Sequence, residues 1–93
     1  MITSLKQSIT GYGILFFGGL LEGRFHYEIS VREERVSGHF DGRVTVPKHY
    51  HRATMLLENC RRIKLQIVGD PESKPLRFDV IDDESIAICR DLK

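Results

Sequence analysis

The sequence predicts a mainly β domain, α+β by strict count. It should hold about six antiparallel strands in a strongly curled sheet or small barrel, with one short helix near residues 48–59. Three observations point there. Apolar and polar residues alternate with a period of two through residues 24–46 and again through 62–67, the pattern of strands with one dry and one wet face. A glycine pair at 18–19 and a charged quartet at 32–35 punctuate the chain where hairpins need turns. Finally, 93 residues, 41% hydrophobic and 29% charged, suit a single globule rather than a disordered tail. A chain of this size buries roughly 60–65% of its unfolded surface, enough for one modest core. Residues 1–93 are therefore read as one domain.

Taken in order, residues 3–10, "TSLKQSIT", offer a short helical turn. The run "ILFFGGLL" at 14–21 reads as a hairpin, because Gly18 and Gly19 can take the positive φ angles of a two-residue turn. Its flanks are apolar on both parities, so either both faces are covered or one meets a second subunit. Ile14, Leu15, Phe16, Phe17, Leu20 and Leu21 are accordingly the interface candidates for a homodimer. The same run is far shorter than the ~20 residues of a membrane helix, and no membrane partner is expected. As a leader it lacks a strongly basic start and a small-residue cleavage site, which makes the cytoplasm the expected compartment.

Phe25, Tyr27, Ile29 and Val31 then alternate with Arg24, His26, Glu28, Ser30 and Arg32. After the quartet "REER", Val36, Gly38, Phe40, Gly42, Val44 and Val46 alternate with Ser37, His39, Asp41, Arg43 and Thr45. Folding the two runs together sets Val31 opposite Val36, Ile29 opposite Gly38 and Tyr27 opposite Phe40. A slip by one residue would bury the charged face, so this register is well specified. On the wet face it sets His26 opposite Asp41, Glu28 opposite His39, and Arg24 opposite Arg43.

The expected helix rests on Tyr50, Ala53, Leu57 and Cys60 at helical spacing, Pro47 at a first turn and Asn59 as a stop. Ile63, Leu65 and Ile67 form a further strand, and "GDPESKP" at 69–75 is a loop. The runs 76–81 and 85–90 read as a closing hairpin across Asp82, Asp83 and Glu84.

Charge and motifs narrow the function less than the fold. The net charge of +1 gives no global field for nucleic acid or membranes. It is uneven, however: residues 1–69 hold ten Lys/Arg against six Asp/Glu, and 70–93 hold four against seven. Cys60 and Cys89 fit no metal or thioredoxin-type spacing and read as reduced thiols, Cys89 buried. His49 and His51 in "PKHYHR" point about 200° apart on a helix and cannot chelate one ion. On an extended segment they share a face, and a metal would still need at least one further ligand, which nothing nearby offers at a usual spacing. The acids of "VIDDES" at 80–85 could attract a divalent cation weakly, but as a charged hairpin tip they need no such function, and neither a metal nor a cofactor is expected. No P-loop, dinucleotide fingerprint or catalytic serine or cysteine motif occurs.

Two constellations could carry function. Arg43, Lys48, Arg52, Arg61, Arg62 and Lys64 fall within 22 residues that hold one acid, Glu58. With Tyr50 for stacking, they are candidates for a nucleic-acid or ligand surface. The stretch "GRVTVPKHYHR" at 42–52 resembles the AbrB and MraZ swapped-hairpin DNA-binding families. That resemblance implies DNA contact, with Gly42, Arg43 and Pro47 in the family's places and a DNA-side arginine to follow. Here Arg52 comes one residue late, the expected Gly-Asp turn reads Asn59-Cys60, and the preceding forty residues have no counterpart.

The second constellation is the wet face of the long hairpin. His26 with Asp41 and His39 with Glu28 are the pieces of general acid–base chemistry, and would serve a small hydrolase or isomerase. No nucleophile or oxyanion site accompanies them. The function expected is therefore a small non-enzymatic binding module for an undefined macromolecule or small molecule, self-associating through the 14–21 hairpin. Nucleic-acid binding is the first alternative and the His–carboxylate enzyme the second.

Overall fold

The computed structural model describes residues 7–72 and 74–92. Six strands, β1 (Gln7–Phe17), β2 (Leu20–Val31), β3 (Val36–Phe40), β4 (Arg52–Leu56), β5 (Arg62–Val68) and β6 (Leu76–Ile81), precede one helix, α1 (Asp83–Asp91). The strands close into an antiparallel barrel in the order β1-β2-β3-β6-β5-β4. Closure pairs every strand on two sides and so removes long open edges.

The first hairpin turns where glycine permits it. Gly18 and Gly19 hold φ of 57° and 83°, a region L-residues with side chains avoid. Within β1 the odd positions Ile9, Leu15 and Phe17 enter the core, while the even positions Ser8, Thr10, Tyr12, Ile14 and Phe16 face outward. Leu15 and Phe17 are fully buried. These two interface candidates therefore belong to the barrel's interior and offer nothing to a partner in this fold.

The long hairpin has the register that alternation dictates, with Tyr27 opposite Phe40, Ile29 opposite Gly38 and Val31 opposite Val36. β3 nevertheless stops at Phe40 instead of running to Val46. The ring order explains this: β3 and β4 lie on opposite sides of the barrel, so residues 41–51 must cross its end. Val44 is buried and Val46 packs against the core as the chain crosses. The expected pairing of Arg24 with Arg43 is consequently not made.

Two local expectations need correction. The segment near 48–59 is not a helix. Residues 47–50 form a turn, with the Tyr50 N–H donating to the Pro47 carbonyl at 3.2 Å, and residues 52–56 are β4. Ala53, Met55 and Leu57 are buried in alternation with Arg52, Thr54 and Leu56. β1 and β5 pair with β4 on its two sides, hydrogen bonding that a helix there would forfeit.

The second correction concerns 85–90, which is no strand but the body of α1. Asp82 caps it, its Oδ1 accepting from the Ser85 N–H at 2.7 Å, and Asp83 and Glu84 occupy the first turn, as the helix dipole favours. β6 finds its partners in β3 and β5 instead. Of the helical turn expected over 3–10, residues 7–10 belong to β1, and residues 3–6 lie outside the described residues.

All-antiparallel order fixes the two ends. The Gly18–Gly19 turn, the 41–51 connection and the link from Val68 to Leu76 share one end, which we call the hairpin end. The 32–35 and 57–61 loops and the start of α1 share the other. Between them lies a core built on Phe17, Phe40 and Phe78, with the Phe40 and Phe78 rings 4.7 Å apart. α1 adds Ile88 and Cys89 to it. Burial pushes the Cys89 thiol up to about 11, whereas Cys60 is exposed, and both thiols are free. Burial also raises the Tyr27 hydroxyl, with smaller contributions from the Glu58 and Cys89 charges. Among the described residues no helix is long and apolar enough to cross a membrane.

Candidate binding face

The barrel wall carries two groups of chemistry-bearing side chains. The first spans β1, β4 and β5. Pairing of Phe16 with Thr54 and Ile14 with Leu56 brings the outward residues of β1 beside those of β4. Pairing of Thr54 with Lys64, Leu56 with Arg62 and Arg52 with Gln66 extends the same rungs onto β5. The outward set of β4 and β5 is thus Arg52, Thr54, Leu56, Arg62, Lys64 and Gln66, which includes three cations and no carboxylate.

Beyond it, at the hairpin end, Leu20 and Leu21 are each 66% exposed. Two leucines so open to water are the part of the apolar run still free to be covered, together with half-buried Ile14 and Phe16. A shallow groove of about 250 Å³ lies between, lined by Phe16, Gly19, Thr54 and Arg62.

The structure therefore gathers Arg52, Arg62 and Lys64 into one strip. Arg61 lies beyond one end of it, in the 57–61 loop, while Arg43, Lys48 and Tyr50 sit in the connection across the hairpin end. Arg43 lines a separate groove of about 370 Å³ with Val44, Thr45, Val46, Pro71 and Glu72. The stretch that resembles the swapped-hairpin families forms this irregular connection and the first residue of β4. Tyr50 leans edge-on toward Phe17, ring centroids 6.3 Å apart, and covers Gly18. Among the described residues Lys64 alone of the strip reaches a carboxylate, Asp82 Oδ2 at 3.7 Å. Hydrogen bonds from Ser85, helped by Lys64, hold the Asp82 carboxyl below its ordinary range.

No family model, curated protein or solved structure matches this chain. The functional reading rests on the surface alone.

The second group is the His–carboxylate face of β2 and β3. The predicted register does bring it together. His26 Nδ1 lies 2.5 Å from Asp41 Oδ2, and His39 Nε2 lies 3.7 Å from Glu28 Oε1 and 3.6 Å from Asp41 Oδ1. Their side chains range from 32% to 55% exposed on the outer wall. Water reaches all four, and proton transfer there has no desolvated wall to work against. No group of three or more His, Cys, Asp or Glu among the described residues is arranged to hold a metal ion.

Sequence reasoning missed one residue of interest. Tyr12 is 47% exposed on the wall, with the Arg24 guanidinium 4.7 Å above its ring and the His26 ring 5.0 Å away. The signal was available: Thr10, Tyr12, Ile14 and Phe16 share one parity of β1, and Gly11 and Gly13 share the other with Leu15. Those glycines hid the alternation.

Proposed function

We propose that this protein is a small non-enzymatic binding module of the cytoplasm that works as a homodimer, joined through the tip of the β1–β2 hairpin. The observation that carries this reading is the 66% exposure of both Leu20 and Leu21, on a barrel whose other large aliphatic side chains are at least partly covered among the described residues. Full burial of a leucine contributes roughly 1.5–3 kcal/mol, so covering two-thirds of one contributes about 1–2. Two leucines from each of two protomers then supply about 4–8 kcal/mol, near the lower end of what association costs. Phe16 and Ile14 beside the tip must add to the seam, and the resulting dimer is no tighter than micromolar. The free thiols of Cys60 and Cys89 suit a reducing compartment.

A non-enzymatic role is supported by the open setting of the His26, Glu28, His39 and Asp41 face. Sedimentation velocity across micromolar concentrations tests the dimer. The wild-type chain should shift toward twice the monomer mass as concentration rises, and a Leu20→Glu, Leu21→Glu variant should stay monomeric with an unchanged circular dichroism spectrum. A wild-type chain that is monomeric throughout removes the proposal.

A further inference from the structure

We propose that the outer wall formed by β4 and β5, with the β1 aromatics beside it, binds single-stranded nucleic acid. The strip is built for an extended polyanion. Arg62 and Lys64 are two residues apart on β5, and Arg52 stands on the rung of Gln66, two residues further. Two-residue steps of a strand advance about 6.7 Å, so the three cations are spread over roughly 13 Å along the wall, two on β5 and the third one strand over on β4. Cations on a sheet ordinarily find a cross-strand carboxylate. Here the acids nearby are already engaged: Asp79, opposite Gln66, by Arg35 through bonds of 2.8, 3.0 and 3.1 Å, Glu58 by the Tyr12 N–H at 3.2 Å, and Asp82 by Ser85 and by Lys64 at 3.7 Å. Among the described residues Arg52, Arg62 and Arg24 have no carboxylate within 4.0 Å. The strip's positive charge is therefore largely uncompensated although the whole chain is nearly neutral.

Aromatic faces select the single strand over the duplex. Phe16 stands beside Thr54, one strand from Lys64, and Tyr12 lies two outward positions further along β1, with Arg24 over its ring. Bases stack on such rings only when they are unpaired, and stacking tolerates any sequence. The groove bounded by Phe16, Thr54 and Arg62 is open at Gly19, where even an added Cβ would have nothing within 4 Å. It offers an apolar wall and a guanidinium together, as a base with its phosphate requires. The surface lies within one protomer, but Phe16 at its edge is shared with the proposed dimer seam. A second protomer and the single strand therefore compete there, while Arg52, Lys64 and Tyr12 stand outside the seam.

Fluorescence anisotropy with a labelled oligodeoxythymidylate, long enough to span the roughly 4–16 nucleotides a small barrel covers, tests this. The wild-type chain should bind it more tightly than a duplex of equal length. With three to five phosphates neutralised, the slope of log K against log salt should be about −2 to −3.5. Replacing Arg52, Arg62 and Lys64 together by Gln should flatten that slope by about 2. Tyr12→Ala should leave the slope and weaken binding about 5- to 150-fold, the worth of one stacked base. All four side chains are exposed, and a thermal melt checks that the variants fold. No binding, equal or tighter binding of duplex, or binding of phosphatidylserine vesicles without the oligonucleotide overturns the proposal.

Discussion

Gly38→Ala is the substitution whose sign depends most directly on how β2, β3 and β6 pack. Gly38 sits mid-strand in β3 without a positive φ, so nothing about its backbone excludes alanine. On conformational entropy alone, alanine at a strand interior should stabilise the fold by roughly 0.5–1 kcal/mol. Contacts reverse that expectation. A Cβ at Gly38 would collide with the Glu28 carbonyl oxygen, and would stand 2.8 Å from Phe78 Cζ and 3.1 Å from Ile29 Cα. Two of these are backbone atoms of β2, which is hydrogen-bonded in register on that side, and they cannot step aside as a flexible side chain would. The third belongs to a ring that is 1% exposed and packed against Phe40.

Overpacking of this kind costs typically 1–3 kcal/mol, sometimes more. After the entropic gain the net loss is at most about 2.5 kcal/mol. Because two of the contacts are backbone atoms that cannot yield, it falls in the upper part of that range, about 1–2.5 kcal/mol, which for a domain this size lowers Tm by roughly 5–20 °C. Total stability for about 90 residues is of order 5–14 kcal/mol, so the variant should still fold and the loss be measurable. Urea unfolding followed by circular dichroism should show a lower midpoint at unchanged m. Adding Phe78→Leu should not restore the loss, because the carbonyl contact persists. A Gly38→Ala variant as stable as the parent, or more so, would refute this account of β2–β3 packing.

The cysteines should separate cleanly under a thiol reagent. In native protein at pH 8 one equivalent, Cys60, reacts at once, and Cys89 reacts only on unfolding; equal rates would mean that α1 does not cover its thiol. Because burial raises the folded Cys89 value from 9.0 to about 11, its contribution is intact below pH 9 and falls away as pH climbs from there to about 11. Asp82 acts in the opposite sense. Its carboxyl is lowered below 3.8, so the stability it supplies is present at neutral pH and lost as pH drops from about 4 through the folded value. Asp82→Ala should lower Tm at pH 7 and bring it closer to that of the parent at the acid end. An equal deficit at both pH values would show that the cap's charge is irrelevant.

Much of this barrel was legible because alternation writes strands in plain sequence. The β2–β3 register followed from Tyr27, Ile29 and Val31 meeting Phe40, Gly38 and Val36, since any slip would bury Glu28 and His39. What stayed hidden were segments whose residues satisfy two periods at once. Ala53 and Leu57 are four apart, and therefore on one face of either a helix or a strand. Met55 between them settles the strand, yet Leu56, lying outward in the apolar patch, disguises it. Conversely Ser85, Ile88, Cys89 and Leu92 carry the helical i, i+3, i+4, i+7 spacing. The acids at 82–84 announce a capped start rather than a hairpin tip.

Ring closure decides what local pattern leaves open. Residues 52–56 are a strand because β1 and β5 each offer an edge there, and the crossing at 41–51 delivers the chain to that gap. The same crossing separates Arg43 and Lys48 from the strip, while β4–β5 pairing draws Arg52 onto the rung of Gln66, far from it in sequence. A basic cluster counted along the chain and a basic cluster on the surface are thus different sets. They overlap at Arg52, Arg62 and Lys64 because antiparallel pairing folds those positions together. The exposed ring of Tyr12 meets Arg24 through β1–β2 pairing, while closure of β1 against β4 sets Ile14 and Phe16 beside the strip.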